Sequence, residues 1–151
     1  MTTAISVAMA RTLTATIVVA LIAAGCATSD GETAQDVDLV GTTWLATEIE
    51  GAGVVDGAKS TLGFVDPGRV AGQGGCNRYF GGVAIDGQSM EFGKMGSTMM
   101  ACPPPLMEQE QRYLAALGAA KRFELKDGTL LLFGEGPDPL VRFSQLESEA
   151  Q

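Results

Sequence analysis

The chain has 151 residues, a formal charge of −8, no histidine, three cysteines and 46% apolar residues. Its length suits one domain with a single core, and an acidic balance with a pI of about 4.4 and no basic run argues against nucleic acid or charge-driven binding to anionic lipid. The lack of histidine removes the commonest general base, every histidine-dependent triad and the usual zinc site.

Arg11 is the only charge before Cys26, and Thr12 to Ala24 is an uncharged, largely apolar run. This is the pattern of a secretion signal, shorter than the roughly 20 apolar residues of a spanning helix. A start at Met9 would place Arg11 in a conventional n-region. The run closes in Leu21-Ile22-Ala23-Ala24-Gly25-Cys26, where small residues leave the backbone open to a peptidase, and polar Thr28-Ser29-Asp30-Gly31-Glu32 follows. Read from the residues alone, an ordinary signal peptide with a free Cys26 and an uncleaved anchor are the alternatives. The segment resembles a lipobox, the processing signature of bacterial lipoproteins. That resemblance implies removal of residues 1–25 and lipidation of Cys26 by a diacylglyceryl group and an amide-linked chain such as palmitate. Each buried methylene then contributes about 0.8 kcal/mol to membrane anchoring. Ala27 stands where an inner-membrane retention aspartate would be, which by the same family rule implies the outer membrane, facing the periplasm, in a Gram-negative cell.

Subtracting Cys26 leaves an even pair, Cys76 and Cys102. An oxidising envelope compartment permits a disulfide between them; two separate buried thiols acting as small apolar side chains are the alternative. Residues 26–38 read as the lipidated cysteine and a flexible polar tether, able to reach about 40 Å when extended. Residues 147–151 read as a C-terminal tail.

From Leu39 the texture becomes short β-prone runs punctuated by glycine. Thr42 to Ile49 comes first, with Trp44 as a core anchor. Thr61 to Val65 and Arg69 to Ala71 flank Asp66-Pro67-Gly68, where proline presets φ and glycine accepts a positive φ. Tyr79 to Ile85 and Ser89 to Phe92 flank Asp86-Gly87-Gln88. Phe123 to Leu125 and Thr129 to Phe133 flank Lys126-Asp127-Gly128, giving three predicted hairpins. Leu140 to Phe143 closes the set. One segment changes period: after Pro103-Pro104-Pro105, the positions Leu106, Glu110, Tyr113, Leu114 and Leu117 step by three and four. This predicts a helix that starts at the prolines and ends at Gly118, with Glu108 and Arg112 spaced to pair on a solvated face.

The segment Ala71-Gly72-Gln73-Gly74-Gly75-Cys76-Asn77-Arg78-Tyr79-Phe80-Gly81-Gly82 is the densest glycine cluster. It matches no phosphate-binding signature, and in a β protein such glycines mark bulges, corners and close backbone approach. Asn77 suits a corner. This segment, the later Ser97-Thr98-Met99-Met100-Ala101-Cys102-Pro103, the helix with Glu110, Tyr113 and Leu114, and the opening Leu39-Val40-Gly41-Thr42-Thr43-Trp44 together resemble the META domain, the HslJ-like family of envelope lipoproteins. The likeness covers residues 39–146. It implies a compact, mostly antiparallel, barrel-like β fold with one packed α-helix, a mainly β (α+β) class that agrees with the hairpins and helix read above. It also places Cys76 and Cys102 at the family's paired cysteine positions. Members are associated with envelope stress, antibiotic tolerance, motility or secretion, and the fold is similar to a lipid-binding secretion pilotin.

No catalytic constellation emerges. Glu108 and Glu110, two residues apart on a helix, point about 160° apart and do not make a glycosidase pair. Lys94 and Ser97 specify no dyad geometry. Met90, Met95, Met99, Met100 and Met107 gather around the helix start, where thioethers fill a core or offer a pliable apolar surface; with no histidine or free thiol beside them, copper is not expected. The reading is therefore a non-enzymatic, lipid-anchored envelope protein without metal or cofactor. It would stabilise or dock onto another envelope component, with Asn77, Arg78, Tyr79, Met99 and Met100 as candidate contacts. The alternative is a carrier enclosing an acyl chain or other apolar ligand in a β barrel.

Overall fold

A computed structural model describes residues 38–147. The signal segment, Cys26, most of the tether and most of the C-terminal tail lie outside the described residues. In chain order the elements are β1 (Thr43–Ile49), β2 (Ala52–Gly53), β3 (Thr61–Asp66), β4 (Arg69–Gln73), β5 (Arg78–Asp86), β6 (Ser89–Phe92), β7 (Gly96–Ser97), α1 (Pro104–Ala119), β8 (Arg122–Lys126), β9 (Thr129–Phe133) and β10 (Pro139–Leu146).

Sequence alternation decides which side chains enter. On β1, Trp44 and Ala46 point inward; a register shift between Ala46 and Glu48 then adds a residue, so that buried Ile49 rather than charged Glu48 takes the next inward place. The Trp44 indole N–H donates to Thr42 Oγ1 at 2.8 Å, satisfying its one polar atom. The three predicted hairpins form. Their turns place Gly68 at φ 75° between β3 and β4, Gly87 at 57° between β5 and β6, and both Asp127 and Gly128 at positive φ between β8 and β9. Two consecutive positive φ values are what a two-residue turn needs to match strand twist, and Asp-Gly supplies them.

The strands run in the order β10-β9-β8-β6-β5-β4-β3-β1, all neighbours antiparallel, and β1 pairs again with β10, so the sheet returns upon itself as a ring. Its narrowest join is β6 to β8, a single register pair between Ser89 and Arg122, supported by backbone bonds from Met90 to Lys121 and from Phe123 to Gln88. The barrel-like antiparallel expectation is thus met by a ring-like sheet with one helix. α1 packs against β10, β6 and β1, turning Tyr113, Ala116 and Leu117 onto a core that includes Trp44, Leu62, Leu130, Leu132 and Phe143. Tyr113 meets Phe143 edge to face with centroids 6.2 Å apart.

Two sequence expectations need correction. Gly118 lies inside α1, which runs one residue further and gives way to extended backbone at Ala120. Glycine here is tolerated rather than used as a stop. Arg112 does not turn to Glu108: its guanidinium donates to the Ile49 carbonyl at 2.8 Å and faces Glu50 at 3.7 Å, because a backbone acceptor across the fold gives it a fixed partner. The short strands β2 and β7 also escape periodicity, being two residues each.

Candidate functional site

The glycine cluster becomes intelligible once α1 is docked. β4 ends at Gln73, the chain turns through Gly74 and Gly75, and Gly75 takes φ 141°. A side chain on Gly74 would lie 2.6 Å from Glu110 Cγ, so the bare backbone is what lets the helix carboxylate reach in. Glu110 is 6% exposed. Its Oε2 accepts the backbone N–H of Cys76 (3.0 Å) and of Asn77, and its Oε1 accepts Asn77 Nδ2 at 2.9 Å. Asn77, 2% exposed, uses its Oδ1 to accept the Thr98 hydroxyl at 2.9 Å and the Met100 N–H at 2.7 Å. One carboxylate and one amide thereby join the glycine corner, the segment after β7 and α1.

A disulfide between Cys76 and Cys102, with Cα atoms 6.0 Å apart, ties the glycine corner covalently to the segment between β7 and α1. The preceding helix residue extends the network: Gln109 Nε2 donates to Ser60 Oγ at 3.0 Å, and Ser60 donates to the Gly74 carbonyl at 2.6 Å. Below it, the Tyr79 hydroxyl donates to the Thr61 carbonyl at 2.7 Å and lies 3.0 Å from the Tyr113 hydroxyl. Burial pushes both phenols well above the usual tyrosine range; at Tyr79 the hydrogen bond with Tyr113 offsets part of this, whereas at Tyr113 its neighbour adds to it.

The five candidate contact residues separate. Asn77 and Tyr79 are buried and spent on internal bonds, which corrects their reading as surface contacts: polar side chains at a corner find backbone partners before they find solvent. Arg78 is exposed, Met99 is 97% exposed and Met100 56%. Asn77 holds Met100 by its backbone N–H and so leaves its side chain outside. Of the other methionines, Met90 is fully buried and Met95 packs at the core margin. The methionine cluster is therefore part core and part surface.

Sequence reasoning missed the network's central residue. Glu110 stood among the apolar stripe positions of its helix, and that misfit was the available signal: a carboxylate on a buried face must have donors waiting. Lys94 and Ser97 are both exposed, and no hydrogen bond joins them among the described residues. Chemically, the arrangement holds backbone in place. Its carboxylate, amide and phenol groups already have partners inside the fold.

Beside the network, Arg78 and Phe80 form one wall of a surface groove of about 660 Å³ that also includes Val65, Ala71 and Thr43. Phe80 is 61% exposed, and its ring covers Gly96 on the neighbouring strand.

The chain is similar to a protein from Burkholderia xenovorans of known NMR structure, at 27% identity and a TM-score of 0.62, over 73% of this chain and 85% of that one. A second NMR structure is similar at 18% identity and a TM-score of 0.55, over 68% of this chain and 87% of the other, a likeness of fold alone. No curated protein matches. The META domain family model matches residues 37–147, which takes in every strand and the helix described above, and the chain belongs to the META domain family.

Proposed function

We propose that this protein is a non-enzymatic envelope lipoprotein, anchored through Cys26, that docks onto or stabilises another envelope component, with its META domain as the recognition module. The observation that carries this reading is the division of side chains at the glycine corner. Groups able to do chemistry are consumed inside, while Arg78, Phe80, Met99 and Met100 are held outside as an adjoining apolar and cationic surface. The META domain is not a known enzyme family. Thioethers on a fixed loop suit an adaptable protein contact. The lipobox-like run and polar tether support the anchor, and the association of the family with envelope stress supports a stress-related role.

The carrier alternative has less support. The inward places of the ring are taken by Trp44, Leu62, Tyr113, Leu130, Leu132 and Phe143, and packed side chains leave an acyl chain nothing to displace but core.

The test is site-specific photocrosslinking in living cells from positions 78 and 99, with Leu125, exposed on β8, as the control. Discrete crosslinked species from the first two and none from the third are expected; identical patterns from all three would remove the docking surface. Mass spectrometry of the membrane fraction should find Cys26 acylated at a new N-terminus, and Cys26→Ser should release the chain. An unmodified Cys26 would overturn the anchor.

A further inference from the structure

Among the described residues, nearly every side chain that an oxidant attacks is either absent or sheltered. The chain has no histidine. Cys76 and Cys102 are joined as a disulfide, so neither offers a thiol. Trp44, Tyr79, Tyr113 and Met90 are buried. Met95 packs at the core margin, its sulfur where a Cβ on Gly81 would stand, and Met107 is half-buried in the first turn of α1.

Two thioethers stand apart from these. Met99 is 97% exposed and Met100 56%, and the fold keeps them outside. The Thr98 N–H donates to the Arg78 carbonyl at 3.0 Å and the Met100 N–H to Asn77 Oδ1 at 2.7 Å, so Met99 lies between two residues pinned to the glycine corner. The Met100 carbonyl accepts Asn77 Nδ2 at 3.4 Å, and the disulfide fixes the chain again at Cys102. These bonds to Met100 use its main chain, which leaves the sulfur free. A small molecule in solution therefore reaches either sulfur without any local opening of the domain.

We propose that Met99 and Met100 are an oxidation site for hydrogen peroxide, and that their conversion to sulfoxides switches off the docking surface they share with Arg78. The switching rests on the docking reading above; the site itself does not. In each reaction a sulfur lone pair attacks one peroxide oxygen, and the S–O bond forms as the O–O bond breaks. Sulfur gives up two electrons, and the departing hydroxide takes the proton of the transferred hydroxyl and leaves as water. A pliable apolar contact thereby becomes a polar acceptor that must shed water to be buried. The domain keeps its packing, because neither thioether belongs to the core.

The experiment treats cell membranes carrying the acylated full chain, with a photocrosslinker at position 78, with hydrogen peroxide before irradiation and peptide mass mapping. Met99→Leu/Met100→Leu, which keeps apolar bulk without sulfur, is run in parallel. Oxygen should enter Met99 and Met100 faster than Met95 or Met107, and at least about tenfold faster than Met90. Crosslinks of the parent should then fall by about tenfold, those of the leucine variant should persist, and the urea midpoint of the purified oxidised chain should not move. Uptake at Met95 or Met107 that matches the exposed pair, crosslinks that survive oxidation of that pair, equal loss in the leucine variant, or a lowered midpoint would each overturn the proposal. If no crosslink forms before peroxide is added, the docking reading falls and the switching with it, while the oxidation site is decided by the mass map alone.

Discussion

Replacing Glu110 with glutamine keeps shape and volume while changing one acceptor into a donor. Glu110 accepts three hydrogen bonds: two backbone N–H groups at Oε2 and Asn77 Nδ2 at Oε1. In Glu110→Gln the amide oxygen can keep the two backbone donors, but its NH₂ then faces Asn77 Nδ2, donor against donor. Rotating the Asn77 amide only moves the mismatch, because Asn77 Oδ1 is already the acceptor for Thr98 and for the Met100 N–H. Either arrangement strands a buried donor, worth about 1–3 kcal/mol, and the surviving bonds lose a charged acceptor, which makes hydrogen bonds roughly twice as strong. A loss of about 3 kcal/mol follows, or more than about 10 °C in Tm for a domain of this size. Urea unfolding followed through Trp44, the sole tryptophan and buried, measures it: the midpoint should fall with the slope unchanged. A variant within about 0.5 kcal/mol of the parent, the range of ordinary surface substitutions, would refute Glu110 as the residue on which the corner depends.

Alkaline pH should unfold the domain. A phenol whose pKa is raised by folding stabilises the native state fully below the unfolded value of about 10, and that contribution is lost as pH climbs through the folded values. The chain has only two tyrosines, and both are raised, so tyrosinate absorbance should appear in step with loss of Trp44 fluorescence order; an independent titration near pH 10 would contradict the pairing. Reduction of the disulfide, which closes a span of 26 residues, should cost about 3.5 kcal/mol on the chain-entropy account; urea curves with and without reductant that coincide would argue that the corner is held by Glu110 and Asn77 alone. Gly118→Ala, on a helix face with open space around its Cβ, should gain roughly 0.5–1 kcal/mol. Gly72→Ala, whose Cβ would overlap the Thr61 carbonyl oxygen, should lose about 1–3 kcal/mol, and thermal melts of the two variants moving the same way would refute this assignment.

The hairpins were legible because each turn carries its own chemistry: Pro67-Gly68, Gly87 and Asp127-Gly128 dictate backbone conformation with no help from distant residues. The helix start was legible for the same reason, since prolines Pro104 and Pro105 open it with a preset φ. Its end was not, because Gly118 keeps helical backbone and the chain turns extended only at Ala120, a residue with no stop chemistry of its own. Glu110 was read as one more member of a periodic stripe. Its meaning lies in donors 33 and 34 residues earlier in the chain, and no local pattern encodes an encounter that only the closed ring creates.

That same separation explains why Asn77 and Tyr79 were misread as surface residues, whereas Arg78 between them is exposed. On β5 successive side chains alternate, so Arg78 and Phe80 must face out if Tyr79 faces in; choosing 77 to 79 as one contiguous surface ignored the period of two. The corner before β5 fixes the phase. Glu110 draws the Cys76 and Asn77 N–H groups inward, the disulfide holds Cys76 against the segment before α1, and the next residue, Arg78, is the first whose side chain is released to solvent. The buried network and the exposed groove are consequently one construction. Whatever loosens Glu110 should also loosen the hold on Arg78, so Glu110→Gln is expected to weaken the crosslinks formed from position 78 even though Glu110 lies buried behind the corner. Crosslinks that persist unchanged at temperatures where the variant remains folded would show that the ladder between β4 and β5 orients Arg78 without the corner.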